Sequence, residues 1–269
     1  MRITWLGHSG VLVETAGVRV AADPLLRPRV NGLRWAVPMP AAVLRMAAGE
    51  LAVDAVLISH LHHDHCDVRS LRLLGAPVVI VPAGAGAWLT KQGVGGVVEA
   101  GPGDLVPVRG GVLPDGPAGG EVSVTVVHAE HHGRREPWGP RALAVGHVVD
   151  GPEGSVWLAG DTALHPAMRD LPGLTGTGRL DVAAIPVWGW GPRLGPGHLD
   201  PDAAARAAAL AGADVAIPVH WGTLHPFALR PVMRTRLVAP GRAFQHEMRR
   251  LGRGRAEVLP VGGEFVLSG

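Results

Sequence analysis

Short apolar runs alternate with glycine-marked turns along the whole chain, and the pattern predicts strands more often than helices. Residues 3–6, 11–14 and 18–22 are β-prone runs separated by Gly7-His8-Ser9-Gly10 and by Ala16-Gly17. The run 53–59 is apolar and β-branched enough for a buried strand, and it stops at a cluster of histidines. Further strands are predicted at 77–81, 96–99, 121–127, 142–149, 155–159, 182–187 and 215–219. The stretch 201–210 reads as a helix, Ala-rich, with Pro201 at its first position and Asp200 as its N-cap. Helices are also predicted at 41–48, 69–74 and 242–251, and a surface loop at 110–120. No linker or repeat divides the chain. Strands followed by helices in each half predict one α/β domain over 1–269, layered around two sheets.

Composition narrows the picture. Apolar residues make up 47% of the chain against 18% charged, which excludes extensive disorder. The one cysteine, Cys66, excludes a disulfide framework and a thiolate-rich zinc site. A net charge of +2, with no basic stripe along the sequence, argues against a nucleic-acid partner. The N-terminal residues lack the apolar core of a signal peptide, and no run approaches the roughly 18 apolar residues of a membrane span. A cytoplasmic protein without an integral membrane segment is expected. Against this ordinary background, 14 histidines stand out.

Several of them fall in Ser59-His60-Leu61-His62-His63-Asp64-His65. In extended backbone His60 and His62 point to the same side, as two ligands of one cation must. Asp64 and His65 follow as the chain turns, offering a carboxylate and an imidazole to a second cation. Four potential ligands in six positions at a strand end are poorly explained as a chance surface cluster. Imidazole and carboxylate donors without thiolate suit zinc best, with manganese or iron as alternatives. Cys66 is expected to be packed rather than reactive.

The pattern His60-x-His62-x-Asp64-His65 resembles the signature of the metallo-β-lactamase superfamily. Trp5-Leu6-Gly7-His8-Ser9, together with Asp23-Pro24, resembles the opening of its branch of N-acylphosphatidylethanolamine phospholipase D-like and ascorbate-6-phosphate lactonase-like enzymes. The similarity spans residues 3 to 245. It implies a four-layer αβ/βα sandwich, two mixed β-sheets flanked by helices, with two Zn²⁺ ions at one edge. By the same resemblance, His60, His62 and His131 would hold the first ion, Asp64, His65 and His220 the second, and Asp161 of Gly160-Asp161-Thr162 would bridge them. His128 and His132 lie in the same loop as His131 and are rivals for its place. His198, in Gly197-His198-Leu199-Asp200-Pro201, matches a histidine that faces the active site, where it could serve a leaving group; the alternative is a histidine that closes the loop before a helix.

Asp64, Asp161 and His198 are thus the catalytic candidates. Trp188, Trp190 and Arg193 are candidates for a substrate wall and an anion contact. His8 is assigned to ordering its turn, and His63, His147, His165, His225 and His246 to structure. The implied activity is hydrolysis of a phosphodiester or related ester of a small anionic molecule, with lactone hydrolysis as the runner-up and nuclease-like processing disfavoured. The superfamily's diiron electron-transfer branch carries Glu where His62 stands, which argues against a redox role. A homo-oligomer is compatible with the sequence.

Overall fold

The computed structural model describes residues 1–110, 119–135 and 138–268; most of the loop expected at 110–120 lies outside them. Two seven-stranded sheets dominate. In the first, Glu264–Val266, Arg2–Gly7, Gly10–Thr15 and Val18–Ala22 run antiparallel, and Ala55–Leu57, Val78–Pro82 and Val97–Ala100 continue from Val18–Ala22 in parallel. In the second, Leu105–Arg109, Glu121–His128, Val145–Gly151 and Gly154–Leu158 are antiparallel, followed in parallel by Leu180–Pro186, Ala213–Val219 and Arg255–Ala256. Each sheet is therefore mixed. A third sheet of three very short strands joins Arg29–Val30, Leu33–Trp35 and Leu224–Pro226.

Strand alternation explains the layering. Ala55 and Leu57 point into the core between the sheets, where they join Val182, Ala184, Val215 and Ile217 from the opposite sheet. Val56 and Ile58 point the other way, onto an outer layer that includes helices Ala41–Ala47 and Val68–Leu74. In the second sheet, Ala183, Ile185 and Ala216 face helices Pro201–Ala211 and Ala239–Leu251. The result is the expected helix–sheet–sheet–helix sandwich, its strands buried on both faces. Helix Pro201–Ala211 starts as the sequence predicts, with Pro201 in its first turn and the Asp200 side chain accepting from the Ala203 N–H at 2.8 Å. Its buried face is Ala204, Ala205, Ala207, Ala208 and Ala211, which lets the backbone lie close to its neighbours.

Several boundaries differ from expectation. The strand expected at 53–59 is confined to Ala55–Leu57, because Ser59 N–H turns away to the Asp23 carboxylate. The strand expected from 142 begins at Val145, since Leu143 N–H bonds Ala83 O instead. Helix Ala239–Leu251 starts three residues earlier than predicted, with Pro240 in its first turn. Among the described residues, no helix is long and apolar enough to cross a membrane.

Candidate metal centre

Strand ends from both sheets deliver polar side chains to one edge of the sandwich. His8 follows Arg2–Gly7, Asp23 follows Val18–Ala22, and the histidine segment follows Ala55–Leu57. From the other sheet, His131, Asp161 and His220 follow Glu121–His128, Gly154–Leu158 and Ala213–Val219. His8, Asp23 and His220 all adopt left-handed backbone, at φ 51°, 41° and 65°. Such conformations cost non-glycine residues of order 1–3 kcal/mol and persist where the surroundings fix them. Here they are fixed: His8 N–H donates to the Thr223 hydroxyl at 2.8 Å, and His8 O accepts from both His220 N–H and the Trp5 indole N–H, each at 2.8 Å.

One group forms around His60, His62 and His131. His62 Nδ1 lies 2.9 Å from His60 Nε2 and 3.3 Å from His131 Nε2. A second forms around Asp64, His65 and His220, with His65 Nε2 and His220 Nε2 3.0 Å apart and Asp64 Oδ2 3.6 Å from His220. Asp161 stands between the two: Oδ2 is 3.1 Å from His65 Nε2 and 3.9 Å from His60 Nε2, and Oδ1 is 3.5 Å from His220 Nε2. Gly160 makes this placement possible, because a Cβ there would lie 2.6 Å from Ser59 Cβ at a φ of +64°.

The arrangement fits cations on four grounds. Separations near 3 Å approach the roughly 3.3 Å between tetrahedral ligands that each sit about 2.0–2.1 Å from a shared ion. The outer ring nitrogens of four of the five histidines are already engaged. His60 Nδ1 meets Ser59 Oγ at 3.0 Å, His65 Nδ1 meets Asp23 Oδ2 at 2.7 Å, His131 Nδ1 donates to Gly197 O at 2.8 Å and His220 Nδ1 donates to Trp188 O at 2.9 Å. Each bond places the proton on the outer nitrogen and aims the inner lone pair at the cluster. Asp161 Oδ1 is buried without a hydrogen-bond partner among the described residues. Finally, the buried Asp23, Asp64 and Asp161 have only histidines as ion-pair partners among the described residues.

Electrostatics point the same way. Burial opposes charge on Asp161, but His220, His65 and His198 outweigh it and hold the carboxyl well below its usual range. Burial likewise opposes charge on Asp64, and His220 and His8 outweigh it. Burial lowers His62 and His131 to about 4, so both are neutral and able to ligate at neutral pH. At His65 burial is overcome by Asp161 and Asp23, which raise its pKa; the two carboxylates demand positive charge at this point.

Of the three rival histidines, His131 alone brings a ring nitrogen to His60 and His62. His132 stacks on His131 with centroids 4.9 Å apart, and exposed His128 turns to Glu130 at 3.3 Å. His198 Nε2 lies 3.5 Å from Asp161 Oδ2, at the mouth of the cluster, while its Nδ1 is within 3.2 Å of the Gly195 and Pro196 carbonyls. Burial opposes its protonation and Asp161 outweighs burial, so its pKa is raised. Trp188 enters chiefly through its carbonyl. Trp190 and Arg193 are exposed, and Arg193 has no ion-pair partner among the described residues. Cys66 is buried, and burial pushes its thiol up to about 12, which leaves it packed and unreactive.

Three contributors were not assigned to the site by sequence. His8 Nε2 lies 2.8 Å from Asp64 Oδ2 and its ring lies against His220, so it does more than order a turn. Asp23 braces both Ser59 and His65. Arg135 donates to Leu61 O and Cys66 O, each at 2.9 Å, and to His63 Nδ1 at 2.8 Å, tying the His131 loop to the histidine segment. The first two follow strands in motifs visible in the sequence; nothing local marks Arg135.

The chain is similar to known proteins over most of its length. A family model described as a beta-lactamase superfamily domain matches residues 19–221. A UPF0173 metal-dependent hydrolase of Methanopyrus kandleri is 34% identical over 86% of this chain and 88% of its own length. An N-acyl-phosphatidylethanolamine-hydrolyzing phospholipase D of Caenorhabditis elegans is 29% identical over 82% of this chain and 63% of its own. Among solved structures, a metallo hydrolase of Ignicoccus hospitalis shares the fold with a TM-score of 0.69 at 21% identity, over 99% of both chains. An isothiocyanate hydrolase from Delia radicum gut bacteria has a TM-score of 0.70 at 16% identity, over 100% of both.

Proposed function

Because this chain belongs to the metallo-β-lactamase superfamily and is a metal-dependent hydrolase, we propose that it cleaves a phosphodiester or related ester of a small anionic molecule at a two-cation centre. The observation that carries this is Asp161, whose two oxygens reach toward His60 and His65 on one side and His220 on the other. His60, His62 and His131 would hold one ion, Asp64, His65 and His220 the other, and Asp161 both. Zinc suits the donor set best, with manganese or iron as alternatives. Two such cations would supply the charge that lowers the pKa of a shared water and polarises the attacked bond.

The protein's own residues then have distinct tasks. Asp64 and Asp161 stay ionised and offset part of the charge of the cations. Asp23, Ser59, Gly197 O and Trp188 O hold the imidazoles in one tautomer and orientation. His198, beside Asp161 and partly open to solvent, holds a proton at Nε2 that can pass to a leaving oxygen. Both sheets contribute ligands, which makes the two halves of the chain one functional unit.

The phosphodiester preference is supported by the likeness to the phospholipase D relative. Protein loaded separately with zinc, manganese and iron should be tested on bis(p-nitrophenyl) phosphate and on a panel of lactones. Phosphodiester turnover above lactone turnover is expected; the opposite ranking would replace the substrate class by a lactone, and no turnover of either would refute the proposal.

A further inference from the structure

Two segments distant in sequence, with eight arginines between them, meet in the fold. Residues 24–49 contain Arg27, Arg29, Arg34 and Arg45 and no Asp or Glu; residues 215–246 contain Arg230, Arg234, Arg236 and Arg242 and again no Asp or Glu. Leu33–Trp35 of the first segment pairs with Leu224–Pro226 of the second. Where they meet, Arg230 and Arg234 of the second segment stand beside Ala36 and Val37 of the first. Of the eight arginines, only Arg27 has a carboxylate partner among the described residues, Asp67 at 2.7 Å.

A recess of about 620 Å³ opens between the two segments, a size in the usual range for small-molecule sites. Val37, Leu237 and Val238 give it an apolar wall, and Arg230 and Arg234 give it two exposed guanidinium groups. Arg230 is steadied by a bond from Nη2 to Ala36 O at 3.3 Å, which leaves its other donors for a ligand. The recess adjoins the candidate metal centre: Gly222 in its lining lies two residues after His220, and nearby Arg236 stacks over Trp188 at 4.5 Å, the residue whose carbonyl accepts from His220.

We propose that this recess binds a small anionic amphiphile, with its phosphate, sulfonate or carboxylate head on Arg230 and Arg234 and an alkyl body against Val37, Leu237 and Val238. Unpaired guanidinium forks select an oxyanion, and the apolar wall selects a chain over a sugar or a nucleic-acid backbone. That the ligand is the substrate rests on the hydrolase reading above; that it binds does not.

The test uses decanesulfonate, which carries no ester to hydrolyse and is a poor metal ligand, titrated below its micelle concentration into the metal-loaded protein. Saturable binding at one site per chain is expected by calorimetry. The double variant R230E/R234E should weaken it by about tenfold or more, through lost and then reversed charge. R249E/R253E, which makes the same change in net charge at the end of helix Ala239–Leu251, should leave affinity within about twofold, and neutral decyl maltoside should bind more weakly than the sulfonate. Equal weakening in both double variants, absence of saturation, or binding to phosphatidylglycerol vesicles with none to monomeric sulfonate would overturn the proposal. Turnover enters none of these readouts, so failure of the hydrolase assays and failure of this site are separately visible.

Discussion

Asp23 Oδ2 lies 2.7 Å from His65 Nδ1, and the same carboxylate accepts from both the amide and the hydroxyl of Ser59. One buried side chain therefore orients the start of the histidine segment and one of its ring ligands. Removing its charge while keeping its shape isolates that role. Asp23→Asn should lower metal affinity by about 10–100-fold, the usual effect of losing a partner that orients a ligand. Competition with a chromophoric chelator measures it; unchanged affinity would make Asp23 a turn residue only.

The loop after Glu121–His128 offers a direct comparison. His131→Ala should strip metal and activity severely, because its Nε2 faces His62 at 3.3 Å. His128→Ala should have a mild effect, since that ring is exposed beside Glu130. Elemental analysis and turnover of the two variants decide the assignment, and the reverse order would move the ligand to His128.

His198 should act on the leaving group rather than on metal retention. His198→Ala should keep its metal and slow turnover by roughly 10²–10⁴-fold on a substrate with a poor leaving group. The loss should shrink with p-nitrophenolate, which departs without a proton. Equal losses on both substrates, or lost metal, would contradict a proton-donor role.

His147 gives the fold a pH dependence away from the metal ligands. Burial lowers it to about 4, with Asp23 opposing only in part. The native state holds the ring neutral while the unfolded chain titrates near 6.5, so the unfolded state takes up the proton first. Its contribution to stability is fully present above about pH 6.5 and declines as pH falls toward 4, by roughly 3 kcal/mol at the low end. Chemical denaturation of wild type and His147→Gln across this window should show a shallower decline in the variant. Parallel curves would remove His147 as the cause.

What the sequence disclosed about this molecule depended on how far apart the cooperating residues lie. His60, His62, Asp64 and His65 are legible because a single strand end places them together, whereas Asp161 and His220 were reached only through the resemblance to the family. The sandwich was legible because its strands are buried runs bounded by turns. His8 was not, because its partner Asp64 is 56 positions away and meets it only once the first sheet has formed. The three-stranded sheet was not, because strands of two or three residues carry no periodicity. The pairing of Arg230 and Arg234 in one recess was hidden by averaging, since a net charge near zero over the chain says nothing of where the carboxylates are missing.

The claim on which the rest depends is that Asp161 is shared by two cations. Metal stoichiometry by elemental analysis of the zinc-loaded wild type and of Asp161→Ala, at matched protein concentration and after dialysis, tests it most directly. About two ions per chain are expected in the wild type, and most of both should be lost from the variant together with activity. A wild type that saturates at one ion, or an Asp161→Ala protein that retains two, would contradict the shared centre.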